Sequence, residues 1–186
     1  MNVVRCLFET IAHSKPLPAK TRHLFCDLNT DDSLPTFLPH RIVSGGQTGV
    51  DRAGLEAAIA LGIDHGGWCP KGRLSEDGSI PSRYQLDEME SPEYPPRTEQ
   101  NVIDSDATLI LYEGKLKGGT LLTQRLAKRH GRPCFSLKLD DSCVVELRRW
   151  LSVTKPSVLN VAGPRDSSCP GIETRALRFL LQAFET

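Results

Sequence analysis

The chain has no apolar run long enough to span a bilayer, so we expect no membrane segment. It has no excess of either charge, because Lys+Arg and Asp+Glu both number 23 among its 186 residues. Without a basic excess, electrostatic capture of nucleic acid or of a membrane surface is not expected. Arg5 and Glu9 interrupt the apolar start of the chain, so we expect no secretory signal and a cytoplasmic location.

Metal-binding, disulfide and catalytic patterns are also missing. The histidines do not form a metal-ligand spacing. The cysteines are scattered without a C-x-x-C pair, so free thiols are expected. The sequence shows no nucleophile elbow and no evident pair of carboxylates, so we predict no catalytic residue and no metal ligand.

The glycine-rich stretch at residues 44–49, SGGQTG, matches neither of the common phosphate-binding motifs. It lacks the Lys-Ser/Thr pair of a P-loop, and its glycines do not have the G-x-G-x-x-G spacing of a dinucleotide fold. No acidic residue ends a clear second strand, where one would hold a ribose. Simple use of NAD or ATP is therefore disfavoured.

The chain divides into two parts by composition. Residues 1–40 are rich in proline and show no sustained helical or strand period, which predicts an extended or poorly ordered leader. From residue 41 to residue 186, short apolar strands alternate with amphipathic helices. This alternation predicts a single α/β domain with a parallel sheet covered by helices on both faces.

Several local features are predicted within that domain. RIVSGG and ATLILYEG are predicted strands, and DRAGLEAAIALG is a predicted helix whose apolar stripe includes Ile59. RTEQNVIDSD is predicted as a short helix capped by Thr98. Residues 71–96 are predicted as a long loop without regular structure, a lid or a binding segment. Trp68 is either a lid over a planar ligand or a core residue.

Glycine-rich loops follow three of the predicted strands, at residues 44–49, 117–120 and 163–168. Because the carboxyl ends of parallel strands meet at one edge of a sheet, these loops are expected to lie together. Their backbone N–H groups and helix starts would form a site for an anion such as phosphate. The cations expected to assist are Lys71, Arg73, Arg97 and Arg165. Asp51 and Arg52 either form a local ion pair or a cap in the first turn of the helix, or contact the ligand.

Four stretches, taken together and in order, resemble the molybdenum cofactor carrier family. They are SGGQTGVDRAGLEAAIALGIDHGGWCPKGRLSEDGSIP, RTEQNVIDSDATLILYEG, GGTLLTQRLAKRHGRP and LNVAGPRDSSCPGI. The resemblance covers the chain from about Arg41 onward and excludes the stretch before it.

This resemblance implies a Rossmann-like fold related to the LOG-type phosphoribohydrolases, which act on nucleoside monophosphates. It also implies storage or transfer of the molybdenum cofactor, an anionic pterin with a dithiolene and a terminal phosphate. Assembly as a homo-oligomer, often a tetramer, is implied as well, with a molybdoenzyme or a cofactor-synthesis protein as the expected protein partner. The candidate cofactor-binding residues are Gly45, Gly46, Gln47, Thr48, Gly49, Arg52, Lys71, Gly72, Arg97, Thr98, Gly118, Gly119, Thr120, Gly163, Pro164 and Arg165.

One departure from the related hydrolases favours a carrier over an enzyme. Those enzymes use a P-G-G-x-G-T-x-x-E stretch whose carboxylate serves catalysis, and residues 118–124 offer no carboxylate at the matching place. Two alternatives stay open: a nucleotide-processing enzyme that acts on a nucleoside monophosphate, and a nucleotide-sensing module without turnover.

Overall fold

A five-stranded parallel sheet forms the centre of the part of the chain that the structure, a computed structural model, describes: residues 36–139 and 143–185. The strands of the domain are Arg41–Val43 (β1), Asp64–Gly66 (β2), Trp68–Cys69 (β3), Leu74–Ser75 (β4), Gly78–Ser79 (β5), Asp87–Glu88 (β6), Ala107–Tyr112 (β7), Cys134–Lys138 (β8) and Val158–Ala162 (β9). The central order is β2-β1-β9-β7-β8, and every neighbouring pair is parallel. The predicted α/β fold is confirmed.

Helices cover this sheet. They are Val50–Leu61 (α1), Tyr94–Ile103 (α2), Gly118–Arg129 (α3), Val144–Thr154 (α4) and Ile172–Phe184 (α5). Gly62 ends α1 in the left-handed conformation, with φ 66°, and its N–H donates to the carbonyls of Ala58 and Ile59. Among the described residues, no helix combines the length and the apolar character that crossing a membrane requires.

The core lies between the sheet and the helices. One large cluster joins Leu109, Leu111 and Leu159 of the strands to residues of α1, α4 and α5. A smaller cluster joins Val102 of α2 to Leu126 of α3. Each fully buried leucine contributes about 1.5–3 kcal/mol by leaving water, so truncating one to alanine costs about 2–5 kcal/mol.

Two details of the predicted helices are wrong. Ile59 is 42% exposed, because α1 packs on the core through Val50, Ala53 and Ala57 instead. Thr98 does not cap α2, because this helix begins earlier, at Tyr94. The Thr98 hydroxyl instead donates to the Tyr94 carbonyl at 2.9 Å, inside the helix.

The prediction of an unstructured loop at residues 71–96 is also wrong. The segment contains a 3₁₀ turn at Lys71–Arg73, the hairpin of β4 and β5, the short strand β6 and the start of α2. The Arg73 guanidinium donates to the carbonyls of Ile80, Pro81, Tyr84 and Leu86, at distances from 2.9 to 3.1 Å. These bonds let a segment with little regular structure stay folded, because its carbonyls find donors.

The predicted leader is described only in part. Residues 1–35 lie outside the described residues, so the prediction of an extended or poorly ordered segment there stays a prediction. Within residues 36–40, the Thr36 hydroxyl donates to the carbonyl of Glu185 at 3.1 Å. Phe37 packs against the large core cluster.

Candidate functional site

A cavity of about 930 Å³ lies beyond the carboxyl ends of β1, β7 and β9. All three glycine-rich loops contribute to its wall, so the structure brings together segments that are far apart in the sequence. The predicted site residues that line it are Gly45, Gln47, Arg97, Thr98, Gly118, Gly119, Thr120, Gly163, Pro164 and Arg165. The cavity falls within the size range of small-molecule and cofactor sites.

Other predicted site residues do not line the cavity. Lys71 and Gly72 are exposed in the 3₁₀ turn, where the Gly72 N–H donates to Glu88 at 2.7 Å. Arg52 forms a two-bonded ion pair with Asp77 of the hairpin, at 2.6 and 2.7 Å. The local ion pair that the sequence left open is therefore not formed, because Arg52 pairs with Asp77 and Asp51 pairs with Arg97.

The glycine loop at residues 44–49 is tied to the protein at its helical end. The Gly49 N–H donates to the Glu173 carboxylate at 3.0 Å, and the Val50 N–H donates to the Pro164 carbonyl at 3.2 Å. Thr48 donates its hydroxyl to Glu76, and Gly46 packs against the side chains of Ile80 and Leu86. The start of α1 is thus satisfied by protein groups, so Gly46, Thr48 and Gly49 shape the loop without lining the cavity.

The start of α3 is open instead. Gly118, Gly119 and Thr120 form its first turn and line the cavity, and no side chain caps the helix. Their N–H groups have no acceptor in the described part of the chain. Lys115 and Lys117, both exposed, line the same region. Free N–H groups, the positive end of a helix dipole and two ammonium groups together favour an anion.

Another part of the cavity wall is buried and contains an ion pair. Arg97 Nη1 lies 3.0 Å from Asp51 Oδ2, and these side chains are only 12% and 7% exposed. Burial raises the pKa of Asp51, and the Arg97 guanidinium and the more distant Arg165 offset part of that rise. Gly45 permits this pair, because a Cβ at Gly45 would overlap Arg97 Nη1 at 1.2 Å.

Two donors in this region lack partners. Gln47 Nε2 and Arg97 Nε are buried and make no hydrogen bond among the described residues. An unsatisfied buried donor costs about 1–3 kcal/mol, so two of them in one wall are unusual unless a ligand satisfies them. We call Gly45, Gln47, Asp51 and Arg97 the Gly45 wall.

An aromatic residue that the sequence did not single out lies in the cavity. Tyr94 opens α2, and the Arg165 guanidinium lies over its ring at 4.4 Å. Trp68, the predicted lid or core residue, is outside the lining, and its Nε1 donates to Asp104 at 2.7 Å. No sequence signal marks Tyr94, because its role depends on how α2 is placed against the loop after β9.

Glu113, which follows β7 and lines the cavity, forms a second ion pair with a residue behind the wall. Arg175 of α5 donates to Glu113 at 2.7 and 3.2 Å, and the Cys169 thiol donates to the same carboxylate at 3.4 Å. The Arg175 guanidinium lowers the pKa of Glu113, whereas burial and Glu113 raise the pKa of Cys169. Cys169 is therefore held as a thiol at neutral pH rather than as a reactive thiolate.

The β4–β5 hairpin ties the first and third glycine loops together through Glu76. Its carboxylate accepts hydrogen bonds from the Thr48 hydroxyl and from the Ser167 N–H, the latter at 3.1 Å. Burial acts to raise the pKa of Glu76, but the hydrogen bonds from Ser167 and Thr48 lower it overall. Sequence reasoning missed Glu76, because it lies in the segment that was predicted to have no regular structure.

The sheet topology, with a cavity beyond the strand ends, defines a Rossmann-like α/β protein. The chain belongs to the circularly permutated YpsA SLOG family, which matches it over residues 42–184.

The chain is also similar to a crystal structure described as "Putative molybdenum carrier protein" from Syntrophus aciditrophicus SB. The two are 43% identical, with a TM-score of 0.78, over 82% of this chain and 98% of the other. This similarity confirms the family resemblance stated from the sequence. No curated protein sequence matches the chain.

Proposed function

We propose that the protein is a carrier that binds the molybdenum cofactor in the cavity, as an anionic pterin held by protein groups without turnover. The observation that carries the proposal is the uncapped start of α3, where Gly118, Gly119 and Thr120 face the cavity beside Lys115 and Lys117. Such a start is suited to the terminal phosphate of the cofactor.

Two further features fit this ligand. The cavity of about 930 Å³ has room for a fused ring system as well as a phosphate. The Arg165 guanidinium, stacked on Tyr94, adds a positive charge in the wall for the oxo-molybdenum centre. The similar protein from Syntrophus aciditrophicus, named as a molybdenum carrier, supports the same class of cargo.

The proposal is tested by loading purified protein with molybdenum cofactor and measuring the molybdenum retained per chain after gel filtration. We expect the wild type to retain molybdenum. The double variant Lys115→Ala/Lys117→Ala should lose it about tenfold faster, because two cationic contacts to the phosphate are removed.

The double variant Lys128→Ala/Arg129→Ala is the matched control, because it removes two exposed cations from the far end of the same helix. It should retain molybdenum as the wild type does. A wild type that retains none, or a control that loses as much as the Lys115/Lys117 variant, contradicts the proposal. Lys71→Ala in the same assay tests the sequence prediction that Lys71 contacts the cofactor.

A further inference from the structure

The orientation of the Gln47 side-chain amide is determined by its neighbours. Gln47 is 2% exposed, and its Oε1 accepts hydrogen bonds from the Glu76 N–H at 2.8 Å and the Thr48 N–H at 3.3 Å. The reversed amide would place an NH₂ group against these two N–H donors, which excludes it. The group left without a partner is therefore the Nε2 donor.

A second unpartnered donor belongs to the same wall. Arg97 uses Nη1 to bind Asp51, whereas its Nε is buried and makes no hydrogen bond in the described part of the chain. Asp51 lies in the same wall, where its carboxylate pairs with Arg97. The Gly45 wall therefore presents donors beside a carboxylate.

The charge of this wall argues against a second anion there. The Asp51 and Arg97 charges cancel within the Gly45 wall, and a phosphate there would lie against the Asp51 carboxylate. Lys115 and Lys117 lie instead at the α3 side of the cavity. Neutral acceptor atoms suit the Gly45 wall, and charged oxygens suit the start of α3.

We propose that the Gly45 wall binds the lactam edge of a fused heterocycle, the edge that a 4-oxopterin and a 6-oxopurine share. The ring carbonyl accepts hydrogen bonds from Gln47 Nε2 and Arg97 Nε, and Asp51 accepts from the adjacent ring N–H or amino group. The inference rests on the proposed function, since it assigns the pterin of the same ligand to one wall. It also defines the orientation of the ligand in the cavity, with the ligand's phosphate at the start of α3.

The wall should prefer a carbonyl to an amino group at that position. Guanosine monophosphate carries the lactam edge, whereas adenosine monophosphate places an amino donor where the carbonyl would be. A site built from buried donors rejects such a ligand, because two donors would then face each other.

The test is isothermal titration calorimetry with guanosine and adenosine monophosphates as probes. We expect the wild type to bind guanosine monophosphate about tenfold more tightly than adenosine monophosphate. Gln47→Glu keeps the acceptor for the Glu76 and Thr48 N–H groups but replaces the Nε2 donor with an oxygen. This variant should bind guanosine monophosphate about tenfold or more weakly than the wild type and should no longer prefer it to adenosine monophosphate.

Two further variants keep this test decisive. Gln47→Met removes the donor without adding a charge, and it should also abolish the preference if Gln47→Glu does not fold. Gln85→Glu makes the same chemical change at an exposed position and should bind both probes as the wild type does. Equal affinities in the wild type, no binding of either probe, or a preference that survives both Gln47 variants overturns the inference.

The two proposals fail separately. If the wild type retains molybdenum cofactor but shows no Gln47-dependent preference for guanosine monophosphate, only the lactam inference is wrong. If the preference for guanosine monophosphate is present but molybdenum cofactor is not retained, the Gly45 wall binds a lactam ring and the proposed carrier function is wrong.

Discussion

At the scale of single residues, Arg52 shows why a motif does not determine a role. It lies in the first turn of α1, next to the glycine loop, where the sequence left open a local ion pair, a cap or a ligand contact. Its guanidinium instead binds Asp77 and Ser75 in the hairpin, 23 to 25 residues further along the chain. The sequence could identify the charge and the loop, but not this partner. Asp77-Gly78 indicates a turn, but the residues around it lack the alternating apolar pattern that would predict a hairpin.

The Arg52–Asp77 pair predicts a pH-dependent part of the stability. Hydrogen bonds from Arg52 and Ser75 lower the pKa of Asp77 to about 2. A carboxylate with a lowered pKa stabilises the fold above the ordinary pKa of 3.8, and this contribution is lost as the pH falls toward 2. Because Asp77 is 48% exposed, we expect only about 1 kcal/mol.

Urea unfolding of the wild type and Asp77→Asn measures this contribution. The wild type should be more stable by about 1 kcal/mol at neutral pH, and the difference should shrink as the pH falls below about 4. Asp87→Asn, at an exposed position, controls for loss of a negative charge. A difference that stays constant down to about pH 2 would show that the ion pair is not its source.

At the scale of elements, the two helix starts at the cavity differ in a way that composition does not show. The helix α1 follows Gly49 and α3 begins with Gly118 and Gly119, and both were expected to offer N–H groups to an anion. The start of α1 is satisfied by Glu173 and Pro164, whereas that of α3 has no cap. The caps of α1 come from residues more than 100 positions away, which is why local patterns could not distinguish the two helices.

Packing between the first and third loops makes Gly49 sensitive to substitution. Its φ is 81°, and a Cβ there would lie 2.3 Å from the Pro164 carbonyl oxygen, a backbone atom that cannot easily move. Gly49→Ala should therefore destabilise the protein by about 3 kcal/mol or more, from backbone strain plus the clash.

Gly62→Ala is the matched comparison in thermal or urea unfolding. Gly62 has φ 66° and no atom within 4 Å of its Cβ position, so only the strain of about 1–2 kcal/mol remains. If the two variants lose the same stability, the loops are not packed against each other as described.

At the scale of the whole molecule, alternating strands and helices were enough to predict the parallel sheet and the edge where the loops meet. This follows from a general property of parallel sheets, since strand ends and loops share an edge whatever the side chains are. The contacts made by the side chains around the cavity were less predictable. Tyr94, Glu76 and the Asp51–Arg97 pair depend on contacts between α2, the hairpin and the loops, which no periodicity records.

The central claim is that distant loops jointly bind one anionic pterin in this cavity. A crystal structure of the protein with bound molybdenum cofactor, with data collected at the molybdenum absorption edge, tests it most directly. The account predicts one anomalous peak inside the cavity, with the cofactor phosphate in hydrogen-bonding distance of the N–H groups of Gly118, Gly119 and Thr120. A peak outside the cavity, or a phosphate away from the start of α3, would contradict it.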